Sequence, residues 1–161
     1  MNSLADEGLG KDFLKIPIYD ALIGNTDRHH SNWGIVSNKE KMKLSPLYDN
    51  GSSLCSIVNE RKITFSDKNW LDSLINTRSK SLIRLQNAKA RPTHIQMMEY
   101  LAEHYKCDCM KYIKAIQDHL TDEKVSDLIY DYSDDIISPI MKELLSLFLK
   151  ERRNKIIEIF K

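Results

Sequence analysis

One polar stretch restricts this sequence more than any other. Gly24-Asn25-Thr26-Asp27-Arg28-His29-His30-Ser31-Asn32 interrupts an apolar run, and Leu44-Ser45-Pro46-Leu47-Tyr48-Asp49-Asn50-Gly51 follows after a short interval. Ahead of it, Phe13, Ile16, Tyr19, Ala21, Leu22 and Ile23 suggest a helix, with Pro17 accommodated in its first turn and Gly24 as its stop. Behind it, Trp33-Gly34-Ile35-Val36 and Met42-Lys43-Leu44-Ser45-Pro46-Leu47 surround the polar Ser37-Asn38-Lys39-Glu40-Lys41, which predicts a β-hairpin with Pro46 only at its end. Such a ribbon carries Asn32 and Asp49, 17 positions apart, at adjacent ends. A loop mounted between a packed helix and a ribbon is a rigid support, which matters where small misplacements lose rate.

Three oxygen-bearing side chains sit on that support: Asp27, Asn32 five positions later, and Asp49. Phosphoryl transfer needs a nucleophile held in line and the charge on the migrating group neutralised, usually by magnesium. Magnesium takes hard oxygen ligands, which carboxylate and amide side chains supply. In the protein-kinase pattern a loop Asp handles the hydroxyl proton, an Asn five residues on holds one metal, and the Asp of Asp-Phe-Gly holds another. Here Asp49-Asn50-Gly51 keeps the carboxylate and the glycine without the aromatic residue. Taken singly these features are weak, because Asn-Thr-Asp and Asp-Asn-Gly are ordinary turn and cap chemistry. Their conjunction with the apolar hairpin and the Arg28-His29 pair is what points to a site. His29 and His30 as zinc ligands are a competing reading, but adjacent side chains diverge and no third His or Cys lies nearby at zinc spacing.

Ile23-Gly24-Asn25-Thr26-Asp27-Arg28-His29-His30-Ser31-Asn32, followed by Ser45-Pro46-Leu47-Tyr48-Asp49, resembles the catalytic and metal-binding segments of HipA-type serine/threonine kinases. These are bacterial enzymes whose best-known members are toxins of toxin–antitoxin pairs. The Asp-x-His-x-x-Asn string is more distantly similar to that of phosphoinositide 3- and 4-kinases. Ser138-Pro139 and Glu151-Arg152-Arg153-Asn154 extend the resemblance with less specificity. It implies a mainly α large (C-terminal) lobe of a protein-kinase-like fold with a small β-hairpin. It implies ATP and Mg2+ as cofactors, a protein Ser/Thr hydroxyl as acceptor, and an antitoxin or a small lobe as partner. By this resemblance Asp27 is the catalytic base and Asn32 and Asp49 are the magnesium ligands. His29, His30, Ser31 and Tyr48 then line the nucleotide phosphates and the metal-side wall.

Length bears on this reading. The 161 residues suit one core. We expect a single domain over 1–161, with a leading helix (1–24), the catalytic loop and metal-binding hairpin (25–51) and a helical subdomain (52–161). Only 26 residues precede Asp27; Gly8-Leu9-Gly10 is too brief for a phosphate loop, and Lys11 and Lys15 have no strand context. The chain thus reads as the large lobe alone: a fragment, a truncated product or half of a split enzyme, inactive or nearly so in isolation. The alternatives are a non-catalytic interaction domain derived from such a lobe, or a phosphoinositide-kinase-like enzyme. A net charge of +1 offers no footprint for nucleic acid or membrane, which weakens the lipid alternative. No apolar run is long enough to span a bilayer, and Met1–Glu7 has no signal-peptide character, so a cytoplasmic location is expected. Three cysteines, an odd number, favour reduced thiols, and Cys107-x-Cys109 lacks the partner pair of a metal or redox site.

The remainder reads as helical scaffold. Trp70, Leu71, Leu74 and Ile75 predict a helix from about Asp67 to Asn76. The basic stretch with Arg78, Lys80, Arg84, Lys89 and Arg91 reads as a solvated loop in preference to a patch for an acidic protein segment, phosphate or nucleic acid. Ile95, Met98, Leu101, Ala102 and Tyr105 mark one amphipathic helix, and Met110, Ile113, Ile116, Gln117 and Leu120 another. Thr121 caps a short helix through Val125, Leu128 and Ile129. Ser138-Pro139 opens a last helix carrying Ile140, Leu144, Leu145, Phe148, Leu149, Ile156, Ile157 and Phe160. His94, His104 and His119 are expected on helix surfaces.

Overall fold

The structure, a computed structural model, describes residues 9–38, 41–86 and 88–161. The start Met1–Glu7, Gly8, the turn residues Lys39 and Glu40, and Asn87 of the basic stretch lie outside the described residues.

After a single turn, α1 (Gly10–Phe13), the apolar run becomes α2 (Lys15–Ile23), with Pro17 in its first turn. Ile16, Ile18, Ala21, Leu22 and Ile23 are all buried, so this helix is enclosed rather than amphipathic; Tyr19 is the exposed exception. Gly24 then ends α2 in the left-handed conformation (φ 69°), and a Cβ there would stand 2.8 Å from the Phe148 ring. Only glycine meets both demands without strain, and the turn it makes delivers the chain into the loop carrying Asp27.

The hairpin is shorter than the sequence suggests. Strands β1 (Ile35–Ser37) and β2 (Met42–Leu44) pair antiparallel with Ile35 opposite Leu44 and Ser37 opposite Met42. Trp33-Gly34 and Ser45–Leu47 fall outside the strands, though Ser45 N–H still donates to the Gly34 carbonyl at 2.8 Å. Leu44 is the one buried strand residue. It joins Leu9, Phe13 and Ile16, with Trp33 and Leu47 alongside, in a small core that fastens the ribbon to α1 and α2. Phe13 and Trp33 meet edge to face at 5.0 Å.

Helix α3 (Lys68–Asp72), capped by Asp67, runs on into a π turn over Ser73–Thr77. Next, α4 (His94–His119) starts with a reciprocal Thr93–Gln96 capping box. It contains both predicted amphipathic segments, joined through a break at Tyr105 (φ −136°, ψ 23°) instead of a loop. Thr121 caps α5 (Asp122–Tyr130), and Ser138 with Pro139 opens α6 (Pro139–Ile159). Helix α2 packs between α4 and α6, and Ile18, Leu22, Met98, Leu101, Ile156 and Phe160 form the principal core. A second core joins Cys55 and Leu74 to Val125, Ile129, Leu144 and Phe148. Each such aliphatic or aromatic burial contributes about 1.5–3 kcal/mol before entropy.

Several expectations need correcting. Met110 is exposed and Cys109 is buried in its stead, because Cys109 lies one turn before Ile113 on the inward stripe that Leu101 begins. Leu128 and Ile140 are exposed too; α5 turns only Val125 and Ile129, one helical turn apart, toward its neighbour. His94 is fully buried (0 % exposed), where the sequence suggested a surface. The segment before α4 folds over its first turn, with Lys80 bridged to Thr93 and Ser81 N–H donating to the Pro92 carbonyl. His104 and His119 do lie on the surface. The basic stretch is not wholly a solvated loop: Arg78 stacks on Trp70 at 5.2 Å, and Arg91 reaches the Thr26 and Lys80 carbonyls. Among the described residues Cys55, Cys107 and Cys109 are free thiols, and no helix is long and apolar enough to cross a membrane.

Candidate active site

The loop after α2 is organised by Arg28, which the motif contains but to which the sequence assigns no role of its own. Its guanidinium is buried (2 % exposed) and all of its donors are used. Nε and Nη2 hold the Asp20 carboxylate at 2.8–3.2 Å. Nη1 donates to the Asn32 carbonyl (2.8 Å) and the Tyr48 carbonyl (2.7 Å), and Nη2 also donates to Asn50 Oδ1 (2.6 Å). One nitrogen thus binds the backbone of both segments that carry the candidate ligands, and the two carbonyls stand no further apart than the sum of those two distances. The signal for this was Asp20, a carboxylate within the apolar run Ile18–Ile23, which demands a buried partner. Burial raises the Asp20 carboxyl above the ordinary carboxylate range, while Arg28 and Asn25 pull it back down.

Asn25 completes the frame. Its Nδ2 donates to Asp20 at 3.1 Å, and its Oδ1 accepts the Asp27 N–H at 3.1 Å. Thr26 N–H donates to the Ser52 carbonyl, and Leu54 N–H to the Ile23 carbonyl, so the segment beyond Asp49 is stitched to the loop.

On this frame Asp27 projects with its side chain 52 % exposed, and His29 Nε2 lies 4.0 Å from its Oδ2. Ser31 N–H donates to His29 Nδ1 (3.3 Å), which caps the short turn His30–Asn32 and leaves the ring proton on Nε2. Asn32 is buried (3 % exposed), and its Nδ2 donates to the Asp27 carbonyl at 2.8 Å. That bond orients the amide and leaves Oδ1 without a protein donor among the described residues. Asp49 is exposed, carries no ion pair among the described residues, and adopts a left-handed backbone (φ 53°) that aspartate tolerates. Tyr48 is exposed beside it, its carbonyl held by Arg28; His30 and Ser31 stand exposed on the short turn.

The donor set fits a hard cation. An amide oxygen and a free carboxylate are oxygen acceptors of the kind magnesium takes, and that ion completes its shell with water and phosphate. Among the described residues no three His, Cys, Asp or Glu side chains gather as a softer or fully proteinaceous metal site would require. The two buried thiols are not reactive groups: burial pushes Cys55 up to about 12 and Cys109 to about 11.

Residues 3–122 match the family described as HipA-like C-terminal domain. The chain is 28% identical over 153 residues to the serine/threonine-protein kinase CtkA of Helicobacter pylori, spanning 91% of this chain and 45% of that protein. Its fold is similar to the crystal structure of the Helicobacter pylori proinflammatory kinase CtkA, with a TM-score of 0.74 at 26% identity, covering 93% of this chain and 51% of that one. The chain therefore spans about half the length of these relatives. Mainly helical with one two-stranded antiparallel hairpin, it has the fold of a kinase large lobe.

Proposed function

We propose, for a chain that belongs to the HipA-like C-terminal domain family, that it is the catalytic lobe of a serine/threonine kinase, transferring the γ-phosphoryl group of ATP to a protein hydroxyl with magnesium. The observation that carries this is the Arg28 clamp, which ties the Asn32 carbonyl and the carbonyl preceding Asp49 to one nitrogen. A fully satisfied buried cation that sets two acceptor-bearing segments side by side supplies the rigid support a functional site needs.

In this reading Asp27 accepts or orients the proton of the attacking hydroxyl; its exposure leaves it open to a docked protein segment. Asn32 Oδ1 and the Asp49 carboxylate hold magnesium, which when bound neutralises charge on the phosphates. His29, His30, Ser31 and Tyr48 face the phosphate side of the loop. The grip on the adenine comes from a small lobe, whether another part of the same polypeptide or a separate chain; by itself the lobe described here should bind magnesium–ATP weakly or not at all.

The test is transfer of labelled phosphate from ATP to protein by the lobe together with its small lobe. Asp27→Asn should lower the rate by about 10²–10⁴-fold, the range for a positioned acid–base group, with the circular dichroism spectrum unchanged. Transfer that survives the substitution rejects the assigned role.

A further inference from the structure

A cavity of about 350 Å³ opens next to the catalytic loop, between Thr26, the segment after Asp49, the π turn and Phe148. Its largely apolar lining carries five hydroxyl residues, includes Lys62 and Arg78, and contains no Asp or Glu. Two further cations stand behind the walls. Arg91 donates to the Thr26 carbonyl at 3.4 Å. Arg152, fully buried (0 % exposed), donates to Ser79 Oγ and stacks on Phe148 at 5.1 Å, and both of those residues line the cavity. Among the described residues none of the four cations has an ion pair, and Arg152 Nε has no hydrogen-bond partner.

That arrangement is incomplete in a way the Arg28 frame is not. A guanidinium removed from water normally meets a carboxylate or a phosphate, since burying an unpaired charge is costly. Here its surroundings are a carbonyl, a hydroxyl and a phenyl ring. Desolvation brings Arg152 down to about 10 and keeps its neighbour His94 neutral, at about 3. The wall is also held in an unusual shape. Leu54 and Cys55 both adopt left-handed φ values (51° and 58°), which residues of their type avoid, and hydrogen bonds from Leu54 to Ile23 and from Val58 to Cys55 maintain them. Low-dielectric walls around one sign of charge focus a field onto the space between them.

We propose that this cavity receives an anionic side chain, a carboxylate or a phosphate ester, on the protein segment that presents its hydroxyl to Asp27. The kinase would then select acceptor residues with an acidic or already phosphorylated residue close by in sequence. This rests on the phosphotransfer reading for the position of the acceptor: Thr26 lines the cavity and immediately precedes Asp27. Lys62 and Arg78 meet the anion at the exposed rim, and Arg152 supports it from behind through Ser79.

Binding of fluorescently labelled serine peptides to the full chain, followed by anisotropy without nucleotide, tests this. In the peptide series a Glu, a phosphoserine, an Ala or a Lys is walked along either side of the serine. Glu or phosphoserine at one register should bind at least 10-fold more tightly than Ala, with Lys weakest; which of the two anions binds better identifies the source of the charge. The double variant Lys62→Glu/Arg78→Glu, both exposed positions, should lose that preference while keeping its circular dichroism spectrum. Equal binding of Glu, phosphoserine and Ala peptides, absence of binding by all of them, or a preference that survives the double variant would overturn the proposal. An acidic preference without any phosphotransfer rejects the kinase reading and keeps the docking site as a peptide site, whereas phosphotransfer without an acidic preference rejects the docking site alone.

Discussion

Adjacent residues of α2 receive two buried arginines in different ways. Asp20 offers Arg28 a carboxylate, and every donor of that guanidinium is taken up by it or by the two loop segments it joins. Ala21 offers Arg152 only a backbone carbonyl, at 2.9 Å, and no carboxylate follows from anywhere else among the described residues. The first is a closed network that fixes geometry; the second leaves positive charge beside a cavity. Buried charge therefore does two separate jobs within one short stretch of helix. Where the counter-ion is built in, the arginine defines a framework, and where it is missing, the arginine marks a place for a ligand.

The contrast is open to direct attack by substitution. Arg28→Met leaves Asp20 as a buried carboxylate without its cation and releases the Asn32 and Tyr48 carbonyls, so it should cost about 3–5 kcal/mol, read as a lower urea midpoint. Arg152→Met removes a charge that has no counter-ion and keeps an apolar chain against Phe148. It strands the Ala21 carbonyl and leaves the Ser79 hydroxyl to His94 Nδ1 alone, a loss of about 1–2 kcal/mol. Equal losses for the two variants would mean that Arg152 is as well compensated as Arg28, and the distinction between framework and ligand-seeking cation would fail.

The same contrast governs what could be read from the sequence. Asp27, Asn32 and Asp49 stand out as candidates because their pattern lies in short spacings, and the helix starts at Thr93, Thr121 and Ser138-Pro139 were legible because a cap acts within one turn. Arg28 was visible only indirectly, through a carboxylate in the middle of an apolar run. Arg152 was not visible at all: its partners lie 73 and 131 positions away, and Glu151-Arg152-Arg153-Asn154 looks like any solvated helix face until α6 is docked. His94 was misjudged for the same reason, since its burial comes from residues 79–92 folding over the first turn of α4. Met110 differs from expectation because the inward position one turn before Ile113 is filled by the small Cys109, beside which the larger Met110 looks the better core residue by type alone.

The smallest effect per step is a pH slope, and it separates the two arginine sites most cleanly. His94 Nδ1 lies 3.0 Å from Ser79 Oγ, the same hydroxyl that Arg152 holds. Burial, then the charge of Arg152 and more weakly that of Arg91, brings its pKa from 6.5 to about 3. The unfolded chain takes up a proton at this residue below about 6.5, whereas the folded chain does not until about 3. Stability from this group is therefore fully present above 6.5 and is lost as the pH falls toward 3, with a slope approaching 1.4 kcal/mol per pH unit, about one proton's worth. Urea denaturation between pH 7 and pH 4 should show that slope, and His94→Gln should flatten it by about that amount. If the variant keeps the slope of the parent chain, His94 is not held neutral by its burial beside Arg152, and the enclosed setting assigned to the Arg152 side of the cavity is lost with it.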